Sequence, residues 1–389
     1  MKFMSWQAIA VSISLLLVTA AVNLEVPLYR TYAEVAGFGN GLTAVVFAAY
    51  VAGLLPVLLL LGGISDRIGR KPVLLIGLVF AALATTLVIV HPTMSVLLVA
   101  RLCQGIGVGL SVGTGTAYLA ELLDGASDRA AVAVTVMTSL GFGGGALFTS
   151  AVLLHHQTLV PLSYWIVLGL TLACLVWMTQ LPPKPAIGGR LVRSPYFPKG
   201  SVIPGLAIAL AWAVTGMVIT VIPAQLAHHQ LTVWTGLALF LVNGTGALVQ
   251  PIARQLTPPR SLLVGFGLLP LGYGLLVLGA ALGVLPLVLL GAAIAGSACY
   301  GFTYLGGLAK VSELAGNQRA RAVSGYFLCA YLGFGIPSIV IGFLSDRIGT
   351  LNALIVFGML IVVLTLVLVS ALWRQNQRLK GENCLKAEV

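Results

Sequence analysis

The sequence predicts an all-α integral membrane protein whose twelve transmembrane helices form two halves of six. Composition, the length of the apolar segments and the placement of cationic residues each lead to this fold class. Of the 389 residues, 59% are hydrophobic and only 8% are charged, whereas a soluble domain carries about 25% charged residues. Because water cannot be the solvent for such a surface, we expect a lipid bilayer to surround most of the chain.

Each predicted helix has about 20 apolar residues, enough to cross the hydrocarbon core. The first six cover 6–26, 41–61, 72–90, 94–120, 130–154 and 161–181, and the second six cover 202–225, 232–252, 261–281, 284–308, 321–343 and 350–373. The first segment also resembles a signal peptide. It continues into a polar cluster of Asn23, Glu25 and Pro27, and cleaved apolar regions are usually only about 7–15 residues long, so we expect a retained helix.

The net charge of +11 does not indicate a nucleic-acid partner, because the cations lie in short loops between apolar segments and not on one polar face. Their distribution follows the positive-inside rule and predicts a multi-pass protein of the plasma (inner) membrane with both termini cytoplasmic. The opposite side holds only Arg30 and Arg347. The predicted cytoplasmic loops hold Arg67, Arg70, Lys71, Arg129, Lys184, Arg190, Arg193, Lys199, Arg254, Arg260, Lys310, Arg319 and Arg321.

A linker rich in proline, glycine and cations divides the chain at residues 182–200. We expect an N-terminal six-helix bundle over 1–181, a C-terminal bundle over 201–375 and a cytoplasmic tail over 376–389. The string Leu140–Gly143 (LGFG) recurs as Leu332–Gly335, which indicates that the two halves are a repeat, a common plan among transporters. We expect the chain to act as a monomer.

The loop after the second helix reads GGISDRIGRKP from Gly62 to Pro72. This string resembles the G-x-x-x-D-R-x-G-R-K signature of the major facilitator superfamily. In that family the loop is a conformational latch, in which the acidic residue can accept N–H groups at the start of a facing helix. The resemblance assigns the latch to Gly62, Asp66, Arg67, Gly69, Arg70 and Lys71.

A second string, RLCQGIG from Arg101 to Gly107, resembles the R-x-x-Q-G-x-G signature of the same superfamily. The resemblance implies its fold and the transport of small molecules by alternating access. An acid in the first helix together with an arginine in the fourth looks like the drug:proton antiporter branch. The fifth helix departs from that branch, because Gly143–Gly145 is not followed by the proline of its glycine–proline motif.

The string GFLSDRIG from Gly342 to Gly349 repeats part of the first signature on the opposite side of the membrane. We expect Asp346 and Arg347 to form a second latch, so that the molecule can close on either face.

Arg101 is a cation well inside an apolar segment, where a charge costs a few kcal/mol or more and usually has a function. We expect Glu25 to be its partner. Burial disfavours a charged carboxylate and a nearby arginine favours it, so this pair can couple proton and substrate binding. The alternatives are a purely structural charge at Arg101 and an interfacial position for Glu25.

Polar and aromatic residues at lipid depth are candidates for the wall of a substrate cavity. Because few of them are charged, we expect a substrate that is neutral, weakly charged or amphipathic. The candidates are Asn23, Tyr50, Gln104, Asn243, Tyr300 and Tyr304, with Tyr326 and Tyr331 as further possibilities.

These observations favour proton-coupled efflux of a small organic molecule, with protons and the lipid bilayer as the other partners. The alternatives are a siderophore or metallophore exporter, an uptake carrier, and a non-transporting sensor or scaffold. The histidine pairs His155–His156 and His228–His229 are the local support for a metal chelate, although we expect no bound metal. The sequence has no nucleotide-binding loop of the Walker type, and we expect neither an enzyme nor a cofactor.

Overall fold

The computed structural model describes residues 5–182, 188, 191, 192 and 194–387. Within these residues, twelve helices are long and apolar enough to cross a membrane, which confirms the predicted fold class. The linker residues Lys184, Arg190 and Arg193, which contribute to the predicted orientation, lie outside the described residues.

The helices of the N-terminal half are α1 (Trp6–Ala36), α2 (Asn40–Leu60), α3 (Arg70–Val90), α4 (Met94–Leu122), α5 (Arg129–His155) and α6 (Leu162–Thr179). Those of the C-terminal half are α7 (Val202–Ala227), α8 (Thr232–Ala253), α9 (Pro258–Leu282), α10 (Leu285–Leu314), α11 (Gly316–Ile348) and α12 (Thr350–Gln375). A short helix, Ile64–Ile68, lies in the loop between α2 and α3.

The first helix of each half is interrupted next to a proline. The regular part of α1 ends at Asn23, a 3₁₀ turn spans Val26–Leu28, and the helix resumes at Tyr29. Pro27 has no N–H to donate to the carbonyl four residues earlier, so the regular pattern cannot continue through it. The first span therefore extends to Ala36, beyond the predicted end at residue 26, and Glu25 lies at its break. In α7 a similar break at Val221 precedes Pro223.

The two halves repeat the same internal packing. In the N-terminal half, α5 lies so close to α1 that a side chain at Gly145 would overlap the backbone of Ala20. In the C-terminal half, α11 lies equally close to α7, where a side chain at Gly333 would overlap the backbone of Ala209. Gly333 belongs to the repeated LGFG string, so the string marks the helix that packs on the first helix of its own half.

The halves touch each other at one end of the bundle and separate at the other. At the end that contains Asp346 (the Asp346 end), α2 packs on α11 and α5 packs on α8, and Gly236 N donates to Ser150 Oγ at 3.2 Å. At the end that contains Asp66 (the Asp66 end), a cavity of about 620 Å³ lies between Asp66 and the start of α11 at Arg319. The structure is therefore closed at the Asp346 end and open at the Asp66 end.

The glycines of the RLCQGIG string bring α4 against its neighbours. A Cβ added at Gly105 would lie 2.8 Å from Leu54 N of α2, and one at Gly107 would lie 3.0 Å from Gly77 O of α3. Because the obstacles are backbone atoms, they cannot move aside as a side chain can. In a membrane the hydrophobic effect does not drive helices together, because the surrounding lipid is as apolar as the helices. Helices associate there through close packing of their backbones.

We expect Gly105→Val to destabilise the folded protein by about 1–3 kcal/mol or more, the usual cost of overpacking. The matched control is Gly274→Val on α9, where an added Cβ meets nothing within 4 Å. The check is thermal unfolding of both purified variants in the same detergent. A midpoint for Gly105→Val equal to that of Gly274→Val would show that α2 and α4 are not held by this contact.

Candidate substrate and proton site

A small cavity lies in the middle of the bundle, between the two halves. Its volume of about 60 Å³ has room for only a few waters, so a larger substrate enters only when the halves move apart. The N-terminal half contributes Val22, Asn23, Tyr50, Arg101 and Phe142, and the C-terminal half contributes Trp212, Thr215, Ile219, Leu239, Asn243, Tyr300, Tyr331 and Phe334.

Aromatic rings form most of the wall on the C-terminal side. The ring centroid of Trp212 lies 4.9 Å from that of Tyr331, 5.9 Å from that of Phe334 and 5.7 Å from that of Tyr300. Phe334 in turn meets Phe47 across the two halves, with centroids 4.7 Å apart in an edge-to-face arrangement. Such pairs fix ring orientations, so the aromatic wall is already formed before a substrate binds.

Arg101 supplies the charge of the cavity, since the rest of the lining contains no Asp, Glu, Lys, Arg or His. Its side chain has no exposed surface, and Nη1 donates to Val22 O at 2.5 Å and to Gln104 Oε1 at 3.0 Å. The guanidinium carbon lies 4.9 Å from the centroid of the Tyr50 ring and 5.5 Å from that of Phe47. The rings provide cation–π stabilisation, which offsets part of the cost of burying the cation.

Glu25 lies behind this wall and is joined to Arg101 through Gln104. Gln104 Nε2 donates to Glu25 Oε1 at 2.9 Å and to Ala21 O at 2.9 Å, while its own oxygen accepts from Arg101. Glu25 is only 1% exposed, so its side chain is enclosed by protein and does not lie on the outer surface of the bundle. Glu25 Oε2 and the hydroxyl of Tyr29 are buried and have no hydrogen-bond partner among the described residues.

Four of the six predicted cavity residues line the cavity, namely Asn23, Tyr50, Asn243 and Tyr300. Gln104 lies one layer behind it as the bridge between Glu25 and Arg101. Tyr304 lies outside the lining: its ring packs 6.1 Å from that of Phe327, and its carbonyl accepts the hydroxyl of Tyr326 at 3.1 Å. Tyr304 comes four residues after Tyr300, about 6 Å further along the helix axis, and so lies beyond the lining of the cavity.

Sequence reasoning missed Phe142, Trp212, Thr215 and Phe334 in the lining. The repeat carried the signal for two of them, because Phe142 and Phe334 are the same position of the repeated LGFG string and both line the cavity. Trp212 and Thr215 carried no signal, since an aromatic or hydroxyl residue in an apolar helix also suits packing.

Tyr300 reaches the cavity from an irregular segment of α10. Residues Ser297–Thr303 form a π-helical turn between two α-helical parts. A π-turn widens the helix by one residue and shifts the side chains after it, and such turns are frequent at functional sites.

The latch residues at the Asp66 end interact within the N-terminal half. Arg70 Nη1 lies 2.5 Å from Asp66 Oδ1, and Arg70 Nε lies 3.0 Å from Glu121 Oε1. Lys71 Nζ donates to the carbonyl oxygens of Thr179 and Leu181 at the end of α6. Gly69 has φ 95°, a value that favours glycine. Gly62 and Arg67 are exposed at the same loop.

At the other end, Asp346 joins the two halves directly. Its carboxylate accepts Asn40 N at 2.8 Å and Gly41 N at 2.9 Å, the first two residues of α2. Asn40 Nδ2 also donates to Ser345 Oγ at 2.7 Å. An anion at the N-terminus of a helix is stabilised by its free N–H groups and by the helix dipole. Arg347 is exposed and makes no ion pair with any described residue.

The histidine pairs lie away from the central cavity. His155 and His156 are exposed at the end of α5, and His229 Nε2 lies 3.0 Å from Ala281 O. They contribute nothing to the lining of the cavity.

The fold and this site define a multi-pass membrane protein with two helical bundles around a central, largely aromatic cavity that contains one arginine. The family model described as Major Facilitator Superfamily matches residues 2–337. The chain belongs to this superfamily.

Curated relatives match over a short segment. The chain is 39% identical over 80 residues to the multidrug resistance protein MdtL of Shewanella oneidensis, which is 21% of this chain and 20% of the relative. It is 36% identical over 80 residues, with the same shares, to MdtL of Vibrio parahaemolyticus. The match thus spans about a fifth of the length of these relatives.

Solved structures match over nearly the whole chain. The nucleoside transporter NupG superposes with a TM-score of 0.73 at 14% identity and covers 95% of this chain and 99% of its own. The human organic anion transporter MFSD10 (TETRAN) gives a TM-score of 0.62 at 18% identity, covering 93% and 98%. At such identities these likenesses show the fold alone.

We expect Gln104→Leu to destabilise the protein by about 1–3 kcal/mol for each buried polar group that it leaves unpaired. Both Glu25 Oε1 and one N–H of Arg101 Nη1 lose the partner that the structure gives them. The control is Gln157→Leu, because Gln157 is exposed and, among the described residues, its side chain bonds to Leu153 O alone. Thermal unfolding in detergent checks this expectation, and equal midpoints for the two variants would contradict the bridging role.

Proposed function

We propose that this protein is a proton-coupled exporter of small organic molecules that works by alternating access around the central cavity. One observation carries the proposal: a buried carboxylate, Glu25, is joined through Gln104 to a buried arginine in the cavity wall. Ionisable groups at lipid depth are costly and usually serve transport. The MdtL relatives, named multidrug resistance proteins, support the direction of transport.

The proposed coupling is electrostatic. When Glu25 is charged, its negative charge partly compensates Arg101 through the bridge. When Glu25 takes up a proton, that compensation is lost and the electrostatic field at the cavity wall becomes more positive. Proton binding at Glu25 and substrate binding beside Arg101 therefore influence each other, and linkage makes the influence reciprocal.

The two latches fit the two closed states of such a cycle. In the structure, Asp346 holds the N-terminus of α2 and the Asp346 end is closed. At the open end, Asp66 faces the start of α11 across the cavity near Arg319. We propose that Asp66 binds the N-terminal N–H groups of α11 when that end closes, as Asp346 binds those of α2.

The proposal also includes the location of the protein, its moving parts and its oligomeric state. The cation distribution supports a bacterial-type inner membrane as the location, with both termini and the Asp66 end in the cytoplasm. The bundles over 1–181 and 201–375 are the moving parts, joined by the linker 182–200. The protein acts as a monomer. The histidine pairs lie away from the cavity, so they do not support a metallophore as its substrate.

Replacing Glu25 with glutamine removes the titrating group and keeps the hydrogen-bonding shape. We expect Glu25→Gln to lower export driven by a pH gradient at least about tenfold, because a coupling free energy between two sites typically corresponds to a change of about 5- to 150-fold. Exchange of substrate across vesicles without a gradient persists, since it needs no proton step. The control is Glu34→Gln on the same helix, a residue paired with Arg30 at the surface.

Everted membrane vesicles with an imposed pH gradient, and a substrate found by a drug-susceptibility screen, provide the measurement. Gradient-driven export by Glu25→Gln at the rate of Glu34→Gln would remove Glu25 from the mechanism.

Asp346→Ala removes two charge-assisted hydrogen bonds that exist only when the Asp346 end is closed. We expect the population open at that end to rise about tenfold, because such bonds contribute about 1.5–3 kcal/mol each and solvent screening reduces this. The control is Asn352→Ala, which loses a bond to Ile348 O at the end of α11, within the C-terminal half. Distances between spin labels at Val35 and Val284, one in each half, report the opening, and unchanged distances would contradict the latch.

A further inference from the structure

We propose that the central cavity selects aromatic compounds that carry a carboxylate, with Arg101 and Trp212 as the residues that hold the carboxylate. The inference rests on the proposed function, because it assigns a substrate class to the same cavity. It concerns binding, however, and does not depend on the proton step.

The free edge of Arg101 is the first observation. Only Nη1 of its three side-chain nitrogens hydrogen-bonds to described residues. Nε is buried without a partner among the described residues, and no described acceptor binds Nη2. The Nε–H and the adjacent Nη2–H form one edge of the planar guanidinium, and two parallel N–H groups of this kind match the two oxygens of a carboxylate.

Glu25 does not fill this edge. Its carboxylate is held by Gln104 on the far side of the wall and is not part of the cavity lining. A buried charged donor without an acceptor costs free energy, so the edge of Arg101 gains from any acceptor that enters the cavity.

Trp212 is the second observation, and it comes from the opposite half. It lines the same cavity with only 8% of its surface exposed, and its Nε1 is buried without a partner among the described residues. A buried indole N–H usually finds an acceptor. Two residues that line one cavity, one from each half, therefore each carry a buried donor without an acceptor among the described residues.

Among the described residues, no polar group of the lining accepts a hydrogen bond from Arg101 Nε or Trp212 Nε1. Asn23 and Asn243 donate their amide nitrogens to the carbonyls of Phe142 and Leu239, and the hydroxyl of Thr215 is itself buried without a partner among these residues. The remaining wall is largely aromatic, with Tyr50, Trp212 and Tyr300 among its rings. A planar ring is the shape that stacks on such a wall. An organic cation would instead face Arg101 at close range, and like charges at close range disfavour binding.

The test uses the full chain in lipid nanodiscs and three probes of one shape: 2-naphthoate, 2-naphthamide and 2-naphthylmethylammonium. Binding is measured by calorimetry without a pH gradient. We expect naphthoate to bind at least about tenfold more tightly than the ammonium probe, the scale of a charged hydrogen-bonded pair, and more tightly than the amide. Equal affinity for the three probes would mean that the unpaired donors bind only water and would overturn the proposal.

Two variants locate the contact. Arg101→Lys keeps the charge and removes the planar edge, so we expect the preference for naphthoate over naphthamide to fall about tenfold. Trp212→Phe keeps the ring and removes the donor, so we expect a loss of about two- to tenfold for naphthoate. The control is Trp165→Phe on α6, which is 54% exposed. Equal naphthoate affinity in Trp212→Phe and Trp165→Phe would remove Trp212 from the site.

The outcome is separable from that of the proposed function. Selective naphthoate binding combined with gradient-driven export by Glu25→Gln would leave the substrate class standing and the proton role refuted. Proton-coupled export by the native chain, combined with tighter binding of the ammonium probe, would leave the proton role standing and refute the substrate class.

Discussion

Burial of one arginine and one glutamate inside a lipid-embedded bundle is the constraint on which the site depends. Neither Arg101 nor Glu25 has appreciable exposed surface in this conformation, and neither charge is tolerated at that depth without compensation. Gln104 provides the compensation by donating to one and accepting from the other. Because an amide separates the two charges, each keeps unpaired polar atoms. A direct ion pair would satisfy these atoms and leave little for a proton or a substrate to change.

The glycines of the signature strings also help to bury these charges, because they let the helix backbones pack closely together. Gly105 follows Gln104 immediately, and its missing side chain lets α4 lie against α2. This close approach brings the Tyr50 ring of α2 to 4.9 Å from the guanidinium carbon of Arg101. Packing and electrostatics are therefore coupled within one string of residues, and a change in helix spacing changes the environment of the charge.

The ends of the molecule are controlled by a different interaction, a carboxylate at a helix N-terminus. The contact of Asp346 with Asn40 and Gly41 is short, exposed and made across the two halves. Exposed polar contacts of this type stabilise a state only modestly, which suits a contact that must break in every cycle. The deeply buried groups remain within one half and do not have to separate when the halves move.

The sequence by itself determined the membrane fold, the twelve helices and the repeat, and it singled out Arg101, Glu25 and Asp346 as candidate site residues. These features follow from hydropathy, short signature strings and the rarity of charges at lipid depth, all of which are local along the chain. Only the tertiary structure decided that Gln104 stands between Glu25 and Arg101, that Tyr304 lies outside the cavity lining and that Trp212 is part of it. These facts depend on helix rotation and on the breaks and π-turn in α1, α7 and α10. A helix surrounded by protein on one side and lipid on the other carries apolar residues all round, so its sequence does not mark which face turns inward.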